Sequence, residues 1–220
     1  MLGVSNYDHR NYPLCRFAID SIPDELRALI DQLNQRFAIG VRGGLAYVFQ
    51  TGDIAYQLKD IDLFVRGSEE PALLAYLQQL PMSTDIFINH SLSGNRVITM
   101  FCGKGPFYKI DMLQVASIRH CQRLQAVPFK QPLSVASAAY IWNNRLLKIG
   151  ERHQRQLDDV KTLNHYRVLR ALRPYVTAQS LNLFTITSTR IDAACDILKP
   201  LLTVEELQTL RAELCDVLPA

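Results

Sequence analysis

Three aspartates stand inside apolar stretches of the sequence, where carboxylates are uncommon. Asp60 and Asp62 lie in the run DIDLFV, and Asp111 lies in YKIDMLQV. Both runs have the composition of β-strands, in which successive side chains point to opposite faces. We therefore expect Asp60 and Asp62 to project together while Ile61 turns into the core. If the strand of Asp111 lies beside theirs, three carboxylates converge.

Such a concentration of negative charge is tolerated mainly where hard cations neutralise it. Mg²⁺ suits the position because it takes oxygen ligands, commonly one or two carboxylates together with substrate phosphates. Two such ions about 4 Å apart can activate an attacking oxygen and stabilise a leaving pyrophosphate. Each acid alone also fits a solvated strand edge or an ordinary salt bridge. Together they predict a site for Mg²⁺ or Mn²⁺.

A glycine pair precedes the acids. Gly43 and Gly44 lie between a short strand, FAIGVR, and a stretch of helical composition, LAYVFQTG. Glycines at such a junction let backbone N–H groups approach phosphate oxygens at a helix N-terminus, where the helix dipole also favours anions. A lone glycine pair is common in ordinary turns. The order of glycine pair, helix, Asp-x-Asp strand, hairpin and third aspartate predicts a nucleoside triphosphate site.

The elements that must position these residues can be read from the hydrophobic pattern. Ser21 is placed as the N-cap of a helix that runs to Phe37, and helical periodicity begins again at about Ser134 and continues through the rest of the chain. Further strands are predicted at 60–65, 85–89, 96–101 and 107–115, with a helix at 69–80. The predicted class is α/β (α+β), with a small mixed sheet and flanking helices over 1–130 and a helical domain over 131–220 packed on it.

Composition excludes several classes of protein. The chain has 220 residues, 48% hydrophobic and 20% charged, which excludes disordered, collagen-like and coiled-coil proteins. Its five cysteines are scattered and contain no Cys-x-x-Cys pair, which is typical of reduced thiols. The sequence has no secretory signal pattern and no run of 18 apolar residues. We expect a cytoplasmic protein without a membrane partner.

Positive charge is concentrated in the middle of the sequence. Residues 96–175 carry 14 basic and 4 acidic side chains, an excess of ten, whereas the whole chain has a net charge of +3. The excess could form a surface that meets the phosphates of a nucleotide or of RNA, although any single arginine here also fits a solvated helix face. His153 and His165 have no partners at zinc-ligand spacing and are interpreted as surface histidines.

These motifs together resemble a known signature. The stretch GGLAYVFQTGDIAYQLKDIDLFV, followed by YKIDML, resembles that of the DNA polymerase β-like nucleotidyltransferase superfamily. The KDIDLF wording and the later PLSVASAAYIWNNRLLKIGERHQRQLDDVKTL resemble the AbiEii-type nucleotidyltransferases, which are the toxin halves of abortive-infection systems. The resemblance covers roughly residues 38–165 and implies that 1–130 is a nucleotidyltransferase catalytic domain.

The resemblance also implies roles for particular residues. Gly43 and Gly44 would hold the triphosphate, and Asp60 and Asp62 would bind both metal ions. Asp111 would bind the catalytic metal and take the proton of the acceptor.

Two further nucleotide contacts come from the later segment. Lys148 would contact phosphate, and Asp159 matches the second acid of the family's basic-Asp-x-x-Asp stretch. This chain departs from the family at two positions: Gln156 stands where the first acid is common, with Asp158 as a substitute, and Leu45 stands where Ser or Thr often follows the glycine pair.

The implied activity is the transfer of a nucleoside monophosphate from an NTP to an acceptor hydroxyl. The acceptor would be RNA such as tRNA, or a protein, and an antitoxin would be a partner. An aminoglycoside- or lincosamide-type nucleotidyltransferase shares the glycine pair and Asp-x-Asp, but the basic middle section is unlike a pocket for cationic drugs. A catalytically silent protein of the same fold that binds RNA or a partner protein remains a third interpretation.

Overall fold

A computed structural model describes residues 2–3, 8–91, 94–154, 159–177, 192, 195–196, 198–199 and 202–215. The chain separates into two compact units, Met1–Ala136 and Ser137–Ala220. The strands are β1 (Leu2–Gly3), β2 (Ile39–Arg42), β3 (Ile61–Arg66), β4 (Ser83–His90), β5 (Arg96–Cys102), β6 (Tyr108–Val115), β7 (Cys121–Leu124) and β8 (Leu133–Ala136). The helices are α1 (Asp24–Arg36), α2 (Gly43–Thr51), α3 (Glu70–Gln78), α4 (Ala138–Gln154), α5 (Asp159–Leu172) and α6 (Val204–Cys215).

The first unit is built on one mixed sheet. Within the described ranges the strand order is β1-β4-β5-β6-β3-β2-β8-β7. The pairs β1–β4, β3–β6 and β2–β8 are parallel, and the other neighbours are antiparallel. The central strands β3 and β6 are neighbours although the β4–β5 hairpin lies between them in sequence. The mixed sheet with flanking helices confirms the predicted fold class.

The helices of this unit follow the apolar spacing. In α1, Leu26, Leu29, Ile30 and Leu33 are buried. The expected cap at Ser21 is wrong. Pro23 is the N-cap and offers no side chain for capping, while the Ser21 hydroxyl accepts from the Ala18 N–H at 3.1 Å within the preceding turn. A serine two residues before a proline could cap either the preceding turn or the helix that follows, and the local sequence does not decide between them.

The expectation that the chain is helical from about Ser134 is also wrong. Ser134 lies in β8, which pairs in parallel with β2 through Val41 and Val135 and antiparallel with β7. The apolar and small residues of this run suit helix or strand equally, and pairing with distant β2 decides for strand. The helix begins only after Ser137, whose hydroxyl oxygen accepts from the Tyr140 N–H at 3.2 Å.

The second unit contains helices α4 to α6. Helices α4 and α5 pack against each other, and their apolar faces bury Trp142, Leu146 and Leu169. The predicted helix that begins near Arg190 lies largely outside the described residues. Among the described helices, none combines the length and apolar character required to cross a membrane.

Candidate functional site

Two of the three aspartates are direct neighbours in the sheet. Strands β3 and β6 run in parallel with Asp62 paired to Asp111, so both side chains project from the same face. Asp60 lies immediately before β3 and two residues before Asp62, which places it toward that face as well. Ile61 and Leu63 are completely buried on the opposite face. The sequence predicted this alternation, although the strand begins one residue later than expected.

A lysine lies among the carboxylates. Lys109, two residues before Asp111 on β6, places its ammonium 2.6 Å from Oδ2 of Asp111 and 3.3 Å from Oδ2 of Asp60. The Thr99 hydroxyl on β5 donates to Oδ1 of Asp111 at 2.7 Å. Both oxygens of Asp111 therefore accept hydrogen bonds from side chains of the protein, and Asp60 and Asp111 share one cation.

The electrostatics of Asp60 reflect this crowding. Burial raises the pKa of the Asp60 carboxyl, and the neighbouring Asp62 carboxylate raises it further. Lys109 and Lys59 oppose this rise in the pKa, while Asp111 adds to it. Lys59 is exposed and its ammonium lies 3.9 Å from Asp60. Asp62 and Asp111 are thus close enough to Asp60 to affect its ionisation.

The glycine pair lies directly against the acids. Arg42 at the end of β2 pairs with Asp62, and Gly43 follows as the first residue of α2 with a φ of +66°. A Cβ atom on Gly43 would overlap the Asp62 side chain, lying 2.7 Å from its Cγ. A Cβ on Gly44 would lie 3.0 Å from Leu58 and 3.1 Å from Tyr56. The N-terminus of α2 therefore meets the acidic cluster at a junction that leaves little space for a side chain.

The remaining predicted residues belong to the second unit. Lys148 is half-buried on α4, and Asp159 is the first residue of α5. The side chain of Asp159 lies outside the described residues, as do Gln156 and Asp158 entirely.

His165 on α5 is not the surface histidine that the sequence suggested, since only 4% of it is exposed. Its Nδ1 lies 3.2 Å from an Arg145 guanidinium nitrogen. Burial lowers the pKa of His165 to about 3, with further lowering from Arg145, Lys148, Lys161 and Arg152. The α4–α5 pair therefore gathers positive charge around a neutral histidine. The helical spacing of the cations was visible in the sequence, but the burial of the histidine was not.

Sequence analysis also missed Lys109 and Thr99. For Lys109 a signal was available, because a residue two positions before Asp111 on a strand must share its face. Thr99 could not be found in this way, since its place opposite Asp111 depends on the register between β5 and β6.

The acidic cluster fits a divalent cation by its chemistry. In the described part of the chain, no three Asp, Glu, His or Cys side chains form a ready-made metal site. Both oxygens of Asp111 are engaged by Thr99 and Lys109, whereas the described lysine contacts of Asp60 reach only its Oδ2, so Asp60 and Asp62 are the candidate pair of metal ligands. Two carboxylates supplemented by phosphate oxygens are a usual environment for Mg²⁺.

Comparisons with known proteins bear on the fold. The chain matches no protein-family model and no curated protein sequence. Among solved structures, it superposes on an antigenic nucleotidyltransferase-like protein from Paracoccidioides brasiliensis with a TM-score of 0.63 and 12% identity, over 94% of this chain and 97% of that chain. The chain thus has the fold of a nucleotidyltransferase-like protein.

Two weaker likenesses have TM-scores below 0.5. JHP933 from Helicobacter pylori gives 0.48 at 11% identity, over 87% of this chain and 88% of that chain. ANT(2")-Ia in complex with adenylyl-2"-tobramycin gives 0.45 at 16% identity, over 84% of this chain and 91% of that chain.

Proposed function

We propose that the protein is a Mg²⁺- or Mn²⁺-dependent nucleotidyltransferase that moves a nucleoside monophosphate from an NTP to an acceptor hydroxyl. The observation that carries the proposal is the pairing of Asp62 with Asp111 beside the Gly43 junction. This arrangement joins a set of carboxylates to a helix N-terminus, and a nucleoside triphosphate needs both a cation site and a phosphate-binding backbone.

The residues have separate tasks in the reaction. Asp60 and Asp62 would hold a divalent ion, which when bound would supply positive charge to neutralise the triphosphate and polarise its phosphorus–oxygen bonds. The backbone at Gly43 and Gly44 binds phosphate oxygens, and Asp111 completes the acidic cluster. The acceptor oxygen would form a bond to the α-phosphorus as the bond to pyrophosphate breaks, and the proton of the acceptor hydroxyl would pass to solvent water. Lys148 and Asp159 are proposed as further nucleotide contacts on the resemblance described above.

For the acceptor we propose RNA, with tRNA as the first candidate, in a cytoplasmic toxin of the AbiEii type that has a cognate antitoxin. Two observations support an RNA acceptor and a toxin of this type: the KDIDLF motif, and the excess of basic residues between 96 and 175. Phosphate contacts by lysine and arginine supply much of the affinity of proteins for RNA and DNA, and a pocket for a cationic drug would be expected to carry the opposite charge.

The test is transfer of label from each α-³²P NTP to total RNA in the presence of Mg²⁺ or Mn²⁺. We expect RNA labelling by the wild type, and a loss of at least about 100-fold for Asp62→Asn, because a neutral amide binds a divalent ion more weakly than a carboxylate and the ion would supply the charge stabilisation at the reacting phosphate. Asp24→Asn is the matched control, because Asp24 is an exposed acid at the start of α1, and it should label as well as the wild type.

Other outcomes separate the alternatives. Label on protein and not on RNA would change the acceptor and leave the transfer reaction standing. Absence of labelling, together with no metal-assisted NTP binding in calorimetry, would favour the silent binding module. For the toxin role, expression without an antitoxin should slow growth, and equal growth of wild-type and Asp60→Asn cells would contradict it.

A further inference from the structure

Lys109 occupies a place among the carboxylates that a cation would otherwise fill. Its ammonium lies between Asp60 and Asp111, within 3.3 Å of one carboxylate oxygen of each. With Thr99 on the other oxygen of Asp111, this carboxylate is neutralised and oriented by the protein itself. A single positive charge therefore already stands at the junction of the first and third acids.

The surroundings of Lys109 favour its staying there. The residue is only 8% exposed and lies opposite Phe101, which is completely buried on β5. A lysine that left these carboxylates would have to carry its charge through an apolar environment or find another partner, and either course is costly. A divalent ion entering the same position would also meet an ammonium at short range, where the repulsion is strong.

Asp60 and Asp62 are placed differently. Asp60 has a second oxygen that no described salt bridge uses, since both of its lysine neighbours approach Oδ2. Asp62 lies against the Gly43 junction, and the described salt bridges of Lys109 are to Asp60 and Asp111. These two acids can hold a divalent ion without displacing Lys109.

We propose that Lys109 permanently fills one of the two cation positions of the acidic cluster, so that the protein binds one divalent cation, on Asp60 and Asp62, and not a pair. The inference rests on the proposed function in taking these two acids as metal ligands. It assigns Lys109 the role of a fixed counter-ion that positions Asp111.

Electron paramagnetic resonance of Mn²⁺ titrated into the full-length protein without nucleotide tests the proposal. The wild type should bind one Mn²⁺ per chain, with the spectrum of an isolated ion. Lys109→Met removes the charge with a side chain of similar length and should bind two. Ions about 4 Å apart interact magnetically, so the second ion should change the shape of the spectrum as well as the stoichiometry.

Lys59→Met is the matched control, because Lys59 is also a cation near Asp60 but is 57% exposed in its side chain. It should bind one Mn²⁺, as should Lys109→Arg. In EDTA, Lys109→Met should unfold at a lower temperature than Lys59→Met, and Mn²⁺ should raise its melting temperature more.

The outcomes distinguish this inference from the proposed function. A magnetically coupled pair in the wild type would overturn the role of Lys109 and leave the nucleotidyltransferase proposal intact, and this measurement does not depend on the folding of any variant. A folded Lys109→Met that binds one isolated ion would also overturn it. Absence of Mn²⁺ binding to the wild type without nucleotide would overturn the inference, and absence of Mn²⁺ binding with an NTP present as well would refute the proposed function.

Discussion

The Gly43 junction can be tested by adding a single methyl group. Gly43→Ala places a Cβ atom where the structure already has the Asp62 side chain, 2.7 Å from Cγ and 2.8 Å from Cβ. It also forces alanine to adopt a φ of +66°. The overlap with Asp62 and the left-handed backbone conformation are two independent free-energy costs. Gly52, at the other end of the same helix, allows them to be separated.

Each cost can be estimated. A left-handed conformation costs a residue with a Cβ about 1–2 kcal/mol, and an extra methyl in a filled space costs about 1–3 kcal/mol. Gly43→Ala should therefore lower the free energy of unfolding by about 2–5 kcal/mol. Gly52 ends α2 with a φ of +72° and has no atom within 4 Å of its Cβ position. Gly52→Ala should lower the free energy of unfolding only by the cost of the left-handed conformation, about 1–2 kcal/mol.

Urea unfolding of the two variants, followed by circular dichroism, measures the difference. Combining Gly43→Ala with Asp62→Ala removes two of the three close contacts, so the double variant should lose less stability than the sum of the single losses. Equal losses for Gly43→Ala and Gly52→Ala would show that the backbone at Gly43 does not lie against Asp62, and additive losses in the double variant would show the same.

Two further predictions concern buried polar groups. The pKa of His165 is lowered from 6.5 to about 3 in the folded protein, so its contribution to stability is fully present above pH 6.5 and is lost progressively as the pH falls from 6.5 to about 3. His165→Gln should therefore reduce the decline in unfolding free energy between pH 7 and 5 by up to about 1.4 kcal/mol per pH unit, and an unchanged slope would contradict a neutral His165. The Asp31 carboxylate on α1 is 5% exposed and accepts a hydrogen bond from the Lys130 N–H at 3.2 Å. Asp31→Ala should therefore lower the free energy of unfolding in urea by about 1–3 kcal/mol. A loss of unfolding free energy no larger than that of exposed Asp24→Ala would refute this role.

The parts of the fold that sequence predicted best are those with a local periodic signal. The alternation in DIDLFV and YKIDMLQV indicated strands whose aspartates project from one face of the sheet, and the structure has β3 and β6 there. The glycine pair indicated a transition from strand to helix, and the structure has the β2–α2 junction there. The sequence did not predict that β3 and β6 are neighbours, because two β-rich runs separated by a hairpin can pair in several orders.

Non-local interactions decided what the sequence left open. Residues 133–136 form strand β8 because they pair with the distant strand β2. Lys109 is read as an ordinary strand lysine until its ammonium is seen between Asp60 and Asp111. The role of such a residue depends on groups brought from elsewhere in the chain, and single-sequence patterns carry little information about them.

The parallel pairing of β3 with β6 has a consequence for a divided chain. A break in the turn between β4 and β5 would leave Asp60 and Asp62 on one fragment and Asp111 with Lys109 on the other. Neither fragment alone would contain the complete acidic cluster. The cluster would be restored only when β3 and β6 paired in register. The two fragments could therefore serve as a complementation pair whose reassociation reports contact between proteins fused to them.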